Sequence, residues 1–225
     1  MRINVISNMK TLVENEIILW LLEGDVSIQF QVYRDLLDSK RDDLRDRISK
    51  EGWGARLLSL RNKNGHWGEG FYQPKWTSTH YTLLDLKNLY ILPNIKEINE
   101  TLLLVVNTNK CEDGGINPSG TIKNSDVCIN GMFLNYASYF KIEENKINSV
   151  IDFLLIQQMK DGGFNCHSNR KGATHSSLHT TLSVLEGILE YQRNGYKYRV
   201  DELQKAELES REFILKHHLF KSDKT

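Results

Sequence analysis

The sequence predicts an all-α protein, and three observations lead to that fold class. Apolar residues recur at helical spacing almost throughout the chain, whereas the alternating pattern of β-strands is scarce. The three prolines, Pro74, Pro93 and Pro118, fall between the helical segments, where a missing N–H group does no harm. Three similar glycine turns also recur at intervals of 49 and 48 residues, a period typical of helix pairs.

The predicted helices follow one another along the chain with short connections. A first helix carries Ile17 to Leu22 and ends at Gly24 and Asp25, and a second carries Ile28 to Leu37. The later helices are predicted over residues 42–48, 53–61, 77–90, 95–107, 125–139, 143–159, 176–193 and 201–217. We expect one domain over 1–225, with N-terminal helices in 1–50, three repeats in 51–193 and a C-terminal helix in 194–225.

Each repeat begins with a turn that leads into an apolar helix. The turns are Asn64–Trp67, Asp113–Ile116 and Asp161–Phe164. Glycine permits backbone angles that other residues avoid, so the last residue of each turn can fold back between neighbouring helices as a wedge. The alternative is that these segments are only loops with one buried apolar residue.

The amino-acid composition indicates which binding partners and which cellular compartment to expect. The 225 residues are 40% hydrophobic and 26% charged, and Lys plus Arg equal Asp plus Glu at 29 each. No global field therefore favours nucleic acid or an anionic membrane, and we expect neither as a partner. The segment Met1–Val5 lacks the apolar core of a signal peptide, and no apolar stretch is long enough for a membrane span, so we expect a cytoplasmic protein.

The helix after each turn carries a polar residue near its start that is able to bind a metal. These residues are His80, Cys128 and His179, and Asp126 lies two positions before Cys128. Asp126, Cys128 and His179 together form a plausible zinc ligand set. His175 lies four residues before His179 on the same helical face, and it is predicted either to line the cavity or to occupy the helix start.

The chain has three cysteines, an odd number, and a reducing compartment disfavours disulfide bonds. We therefore expect no disulfide framework. Cys128 is the cysteine that has suggestive neighbours in the sequence. No role is assigned to Cys111 or Cys166.

These motifs resemble those of the α/α-toroid superfamily, which contains terpenoid and squalene cyclases and the β subunits of protein prenyltransferases. The turns resemble its degenerate glutamine-tryptophan repeats over about Trp53 to Tyr191. The run Ser125–Cys128 is similar to the Asp-x-Cys zinc motif of prenyltransferase β subunits, and Leu178–Thr181 is similar to their His-Thr zinc motif. The resemblance implies an α/α toroid, here an incomplete ring because the chain ends before a full ring would close.

The resemblance further implies a zinc-dependent prenyltransferase-like enzyme that acts on an isoprenoid or another apolar small molecule. A zinc ion held by three protein ligands keeps a fourth position open for an acceptor thiol. Lys123 stands where that family has a lysine for the diphosphate group. Tyr72, Trp76, His80 and His175 are the further candidates for substrate contacts. A partner subunit, which protein prenyltransferases need, is also implied.

Two other functions remain open. In the first, a metal-free terpene cyclase uses Asp126 as its acid, since oxidosqualene cyclases carry their proton-donating aspartate in a similar Ser-Asp run. In the second, the toroid is a non-catalytic binding module. Gly120 and Ile129 stand where prenyltransferases have the arginine and tyrosine that hold diphosphate, which favours this last function.

Overall fold

The computed structural model describes residues 15–119, 122–167 and 172–221, and within them it is all-helical. The fold class predicted from the sequence is therefore confirmed at the level of all-α. An isolated antiparallel bridge between Lys110 and Ile116 is the β-type pairing found in this part of the chain. None of the helices in the described ranges is long and apolar enough to cross a membrane.

Ten α-helices follow one another in the described residues, and most lie where the apolar spacing predicts them. They are α1 Glu16–Leu22, α2 Val26–Gln31, α3 Asp42–Arg47, α4 Gly52–Ser59, α5 Thr79–Asn88, α6 Lys96–Asn109, α7 Val127–Tyr139, α8 Glu144–Ile156, α9 Leu178–Arg193 and α10 Val200–Lys216. The second predicted helix, which was expected to continue to residue 37, instead changes at Val32–Leu36 into a short π-helical segment.

The chain forms two compact units. The first consists of Met1–Lys63 with Asp85–Pro93, and the second of Asn64–Leu84 with Asn94–Thr225. In the described part of the first unit, the side chain of Asp25 accepts the Ser27 N–H at 2.9 Å and so caps the start of α2. The other oxygen of Asp25 accepts the Trp53 N–H at 2.8 Å, which joins the starts of α2 and α4.

The second unit is built around α7, whose residues are buried along almost the whole helix. Gly131 of α7 and Gly187 of α9 allow these two helices to cross closely. A Cβ atom at Gly131 would lie 2.7 Å from the Ser183 carbonyl oxygen, and one at Gly187 would lie 2.5 Å from the Gly131 carbonyl oxygen. The Asn135 side chain of α7 also donates to the Glu186 carbonyl oxygen of α9 at 3.0 Å. The starts of α7 and α9 are thereby held in a fixed relation.

The three glycine turns share a backbone conformation and a buried last residue. Their first glycines, Gly65, Gly114 and Gly162, have φ values of 85°, 87° and 95°, in the left-handed region that glycine adopts without strain. The last residue of each turn, Trp67, Ile116 or Phe164, is buried as expected.

A polar side chain in the following helix holds the backbone of that buried residue in each turn. Thr79 accepts the Trp67 N–H at 3.0 Å, and Thr181 accepts the Phe164 N–H at 2.9 Å. In the middle turn, Asn130 accepts from the Ile116 N–H at 2.7 Å and donates to its carbonyl oxygen at 3.0 Å. Thr79, Asn130 and Thr181 therefore occupy equivalent positions.

The aspartates that open the second and third turns are tied to the next loop. The carboxylate of Asp113 accepts from the Ser125 N–H at 2.7 Å and from its hydroxyl at 2.8 Å. Asp161 makes the same two bonds to Ser176. The loops that lead into α7 and α9 are thus fixed immediately before the helices begin.

Candidate functional site

The starts of α7 and α9 carry the residues that form the candidate site. Asp126 is the N-cap residue of α7, and Cys128 follows in the first turn. Ser177 caps α9 by accepting the Thr180 N–H at 3.4 Å, and His179 lies in the same first turn. The first N–H groups of a helix have no partner within the helix, so both starts present donors and a partial positive charge.

The sulfur of Cys166 lies between these two helix starts. It accepts the backbone N–H of Cys128 at 3.0 Å and the hydroxyl of Thr180 at 3.5 Å. Two donors, one from each helix, therefore converge on one sulfur atom.

The two cysteine thiols differ in their pKa values because of this arrangement. The hydrogen bond from the Cys128 thiol, together with those from Thr180 and the Cys128 N–H, outweighs burial and lowers the pKa of Cys166 to about 7. The bond to Cys166 and burial raise the pKa of Cys128 well above its usual range. Donors at a helix start stabilise a thiolate for the same reason that they bind anions. Cys166 is thus the thiolate of the pair, and Cys128 remains a protonated donor.

An aromatic cluster is formed by side chains of α5, of α7 and of the loop before α5. The cluster consists of Phe71, Tyr72, Trp76, His80, Tyr81 and Tyr136. The hydroxyl of Tyr81 donates to that of Tyr72 at 3.0 Å, and the ring of Trp76 lies 4.9 Å from that of Tyr81. Burial and the hydrogen bond with Tyr81 raise the pKa of Tyr72, and the charge of Asp126 adds to this increase. Tyr72 therefore lies near the start of α7.

Two members of the cluster differ strongly in exposure. The Trp76 side chain is 74% exposed, although it contacts Tyr81, whereas His80 is fully buried. His80 Nδ1 lies 3.0 Å from the Tyr136 hydroxyl, and its Nε2 has no hydrogen-bond partner. Burial lowers the pKa of His80 to about 3, so its ring is neutral. The cluster offers an apolar surface at its outer edge and a closed interior.

The predicted zinc ligands are not arranged as a metal centre. Within the residues that the structure describes, no three side chains of His, Cys, Asp or Glu are placed to hold a metal ion. His179 is exposed at the start of α9. The zinc site of Asp126, Cys128 and His179 stays a prediction.

The predicted equivalence of His80 with His179 also needs correction. Thr79 and Thr181 are the matching residues of the two helices, so His179 corresponds to Thr77 and not to His80. The loop between the turn and the helix differs in length, so residue type alone does not give this register.

The other predicted substrate residues are distributed over several places. Tyr72, Trp76 and His80 meet in the aromatic cluster. Lys123 is exposed and lines a groove of about 660 Å³, together with Cys111. His175 is exposed in the loop before α9, where its carbonyl oxygen accepts from Asn165 at 2.9 Å.

Sequence reasoning missed Cys166, which was assigned no role. It follows the third turn by two residues and belongs to no motif, and its partner Cys128 is 38 positions away in the chain. Comparison of the chain with known protein families, with curated proteins and with solved structures finds no match in any of the three.

Proposed function

We propose that this protein is a thiol-dependent enzyme that transfers or hydrolyses an apolar acyl group, with Cys166 as the nucleophile. The observation that carries the proposal is the convergence of the Cys128 N–H and the Thr180 hydroxyl on the Cys166 sulfur. Such donors stabilise the thiolate, which is the reactive form of cysteine.

The chemistry of turnover selects the acyl group. In the first step the thiolate electron pair forms an S–C bond to the carbonyl carbon, and the leaving group departs with the electrons of the bond that breaks. In the second step water or another acceptor attacks the same carbon and releases Cys166. A thioester is cleaved readily in this way, whereas the thioether formed with an alkyl group is stable. An acyl substrate therefore allows the enzyme to return to its starting state.

The apolar part of the substrate is assigned to the aromatic cluster. Tyr72 lies near enough to Asp126 for the carboxylate charge to add to the rise in its pKa, so the cluster lies near the start of α7. Trp76, which contacts Tyr81, presents an exposed aromatic surface there. Aromatic rings supply a large apolar contact area, which suits an acyl chain or an isoprenoid. An α/α-toroid arrangement of the helix pairs, as the sequence motifs suggest, remains part of this proposal.

Acylation of the protein by activated esters tests the proposal. We expect para-nitrophenyl octanoate to give a burst of para-nitrophenolate and an acyl adduct on the tryptic fragment 161–170, which contains Cys166. The shorter acetate ester should react more slowly because it leaves the aromatic surface uncovered. The Cys166→Ala variant should lose the burst, whereas the matched Cys111→Ala variant should keep it. Equal acylation of Cys111 and Cys166 would overturn the proposal.

A second candidate is the binding of an isoprenoid without chemistry, which the aromatic cluster favours independently of the thiols. Fluorescence titration with farnesol, in the Cys166→Ala background, tests it. A Trp76→Leu substitution should weaken binding. The control is Trp53→Leu, because Trp53 is another exposed tryptophan and is 53% accessible. Equal affinity of both variants would exclude the cluster as the binding surface.

A further inference from the structure

A second property follows from the closeness of two cysteines. The backbone N–H of Cys128 donates to the Cys166 sulfur, with 3.0 Å between nitrogen and sulfur, so the two residues lie side by side. We propose that Cys128 and Cys166 form a redox site that reacts with low-molecular-weight disulfides and closes into an intramolecular disulfide. The proposal rests on the nucleophilic role of Cys166 in the proposed function.

The reaction proceeds by two thiol–disulfide exchanges. The Cys166 thiolate attacks one sulfur of a disulfide such as oxidised glutathione, which forms a mixed disulfide and releases one glutathione thiolate. Cys128 then attacks the Cys166 sulfur, its proton passes to the leaving thiolate, and the second glutathione is released. The two protein thiols are oxidised, and one glutathione disulfide is reduced to two thiols.

The structure gives Cys128 the second step. Its backbone N–H donates to the Cys166 sulfur at 3.0 Å, so Cys128 lies next to the sulfur that it attacks once the mixed disulfide has formed.

The geometry requires only a local movement. The Cys166 sulfur already lies against the backbone of Cys128, and a disulfide would bring the two sulfurs to about 2.05 Å. Cys128 lies in the first turn of α7, and Cys166 lies in the loop that follows the third glycine turn, outside the helices. The loop residue can approach the helix without any change in the packing of α7 against α9.

Cys111 supplies an internal control. It is half-buried like the other two cysteines, but its thiol donates to the Lys123 carbonyl oxygen at 3.6 Å and accepts from the Asn117 side chain at 3.3 Å. It therefore has polar partners in place of a second thiol. The three cysteines also fall on separate tryptic fragments, 111–123, 124–141 and 161–170, so each one is followed independently.

Peptide mass spectrometry after treatment with oxidised glutathione tests the proposal. The reduced protein is oxidised, free thiols are blocked with N-ethylmaleimide in acid, and the digest is analysed. We expect fragments 124–141 and 161–170 to be joined in the unmodified protein. The Cys128→Ser variant should accumulate glutathione on Cys166 without a cross-link. A stable glutathione adduct on Cys166 in the unmodified protein, at the level found in Cys128→Ser, would overturn the redox proposal.

The ester assay separates the two proposals. Acyl transfer by Cys166 without a cross-link would overturn the redox site alone. A cross-link without acyl transfer would overturn the acyl-transfer function alone. If Cys166 reacts with neither the ester nor the disulfide, both proposals fail.

Discussion

Removal of the thiol of Cys128 should make Cys166 less acidic. The hydrogen bond from that thiol is the largest cause of the lowered pKa of Cys166, which is about 7. A Cys128→Ala substitution removes this donor and leaves the backbone N–H of residue 128 and the Thr180 hydroxyl in place. The pKa of Cys166 should therefore rise toward that of an ordinary cysteine without reaching it.

The expected size of the change follows from the strength of one hydrogen bond. A hydrogen bond to a charged group contributes about 1.5–3 kcal/mol, and one pKa unit corresponds to about 1.4 kcal/mol. The pKa of Cys166 should rise by about 1–2 units. At about pH 7 the thiolate fraction then falls from about one half to between about one tenth and one hundredth.

The reactivity of the remaining thiolate moves in the opposite direction. The nucleophilicity of a thiolate rises with its pKa, with a Brønsted coefficient of about 0.4–0.5. A pKa rise of about 1–2 units therefore makes each thiolate about 3–8 times more reactive. Alkylation of Cys166 should therefore slow by about 2- to 6-fold at about pH 7, but accelerate by about 3- to 8-fold at about pH 10. The effect of one substitution should thus change sign with pH.

Alkylation by iodoacetamide, followed on fragment 161–170 across the pH range, measures this effect. Cys128→Ser keeps a hydroxyl donor and is the matched control, which should retain most of the acidity of Cys166. Thr180→Val should raise the pKa as well, whereas Asp126→Asn should lower it, because the Asp126 carboxylate disfavours the thiolate. The same midpoint in Cys128→Ala and in the unmodified protein would refute the reasoning.

Buried groups and close backbone contacts give three more expected outcomes. Burial lowers the pKa of His80 to about 3, so the free energy of unfolding should fall by about 1.4 kcal/mol per pH unit from about pH 6.5 down to about pH 3. Urea unfolding of His80→Phe should lack this acid slope, and an unchanged slope would contradict the assignment. Gly187→Ala places a Cβ atom 2.5 Å from a backbone oxygen of α7 and should reduce stability by about 1–3 kcal/mol. Gly70→Ala, which meets nothing within 4 Å, is its control, and equal Tm values would disprove the close crossing. Burial raises the pKa of Asp161, but hydrogen bonds from Ser176 outweigh it and lower the pKa. Asp161→Asn should therefore destabilise at neutral pH by about 1 kcal/mol, and the difference should vanish as acid protonates the aspartate; a difference that persists in acid would contradict the ionic role.

The helices and turns were predictable because their signals are local. The spacing of apolar residues gives the position of each helix, and the glycines mark backbone that needs a positive φ. Prediction and structure agree closely for these features. The helix predicted over 125–139 is observed as Val127–Tyr139, and Gly114 has a φ of 87°. Both features depend on residues that are near one another in the chain.

The register between turns and helices was not predictable in the same way. The buried turn residue and the side chain that holds it are separated by 12, 14 and 17 residues in the three cases. The loops between them differ in length, and no sequence pattern fixes how each loop folds. A comparison of the histidines alone therefore pairs His80 with His179, whereas the hydrogen bonds pair Thr79 with Thr181.

The residue that contacts Cys128 was even harder to predict, because it is far away in the sequence. Asp126 and Cys128 resemble a metal motif because of their spacing. Their roles, however, depend on which residues lie beside them in the folded structure. Cys166 arrives from another repeat and receives the donors of two helix starts. Only the folded chain brings these groups together.

The role of Cys128 distinguishes zinc chemistry from acyl transfer at this site. A zinc ligand must give up its proton, and serine is a poor substitute because its hydroxyl does not ionise near neutral pH. A hydrogen-bond donor must keep its proton, and the serine hydroxyl supplies one at the same position. In Cys128→Ser, metal chemistry would therefore be lost, whereas acyl transfer through Cys166 should persist. The hydrogen bond that Cys128 makes with Cys166 leads us to expect persistence, and loss of acyl transfer in this variant with the fold intact would overturn the donor role.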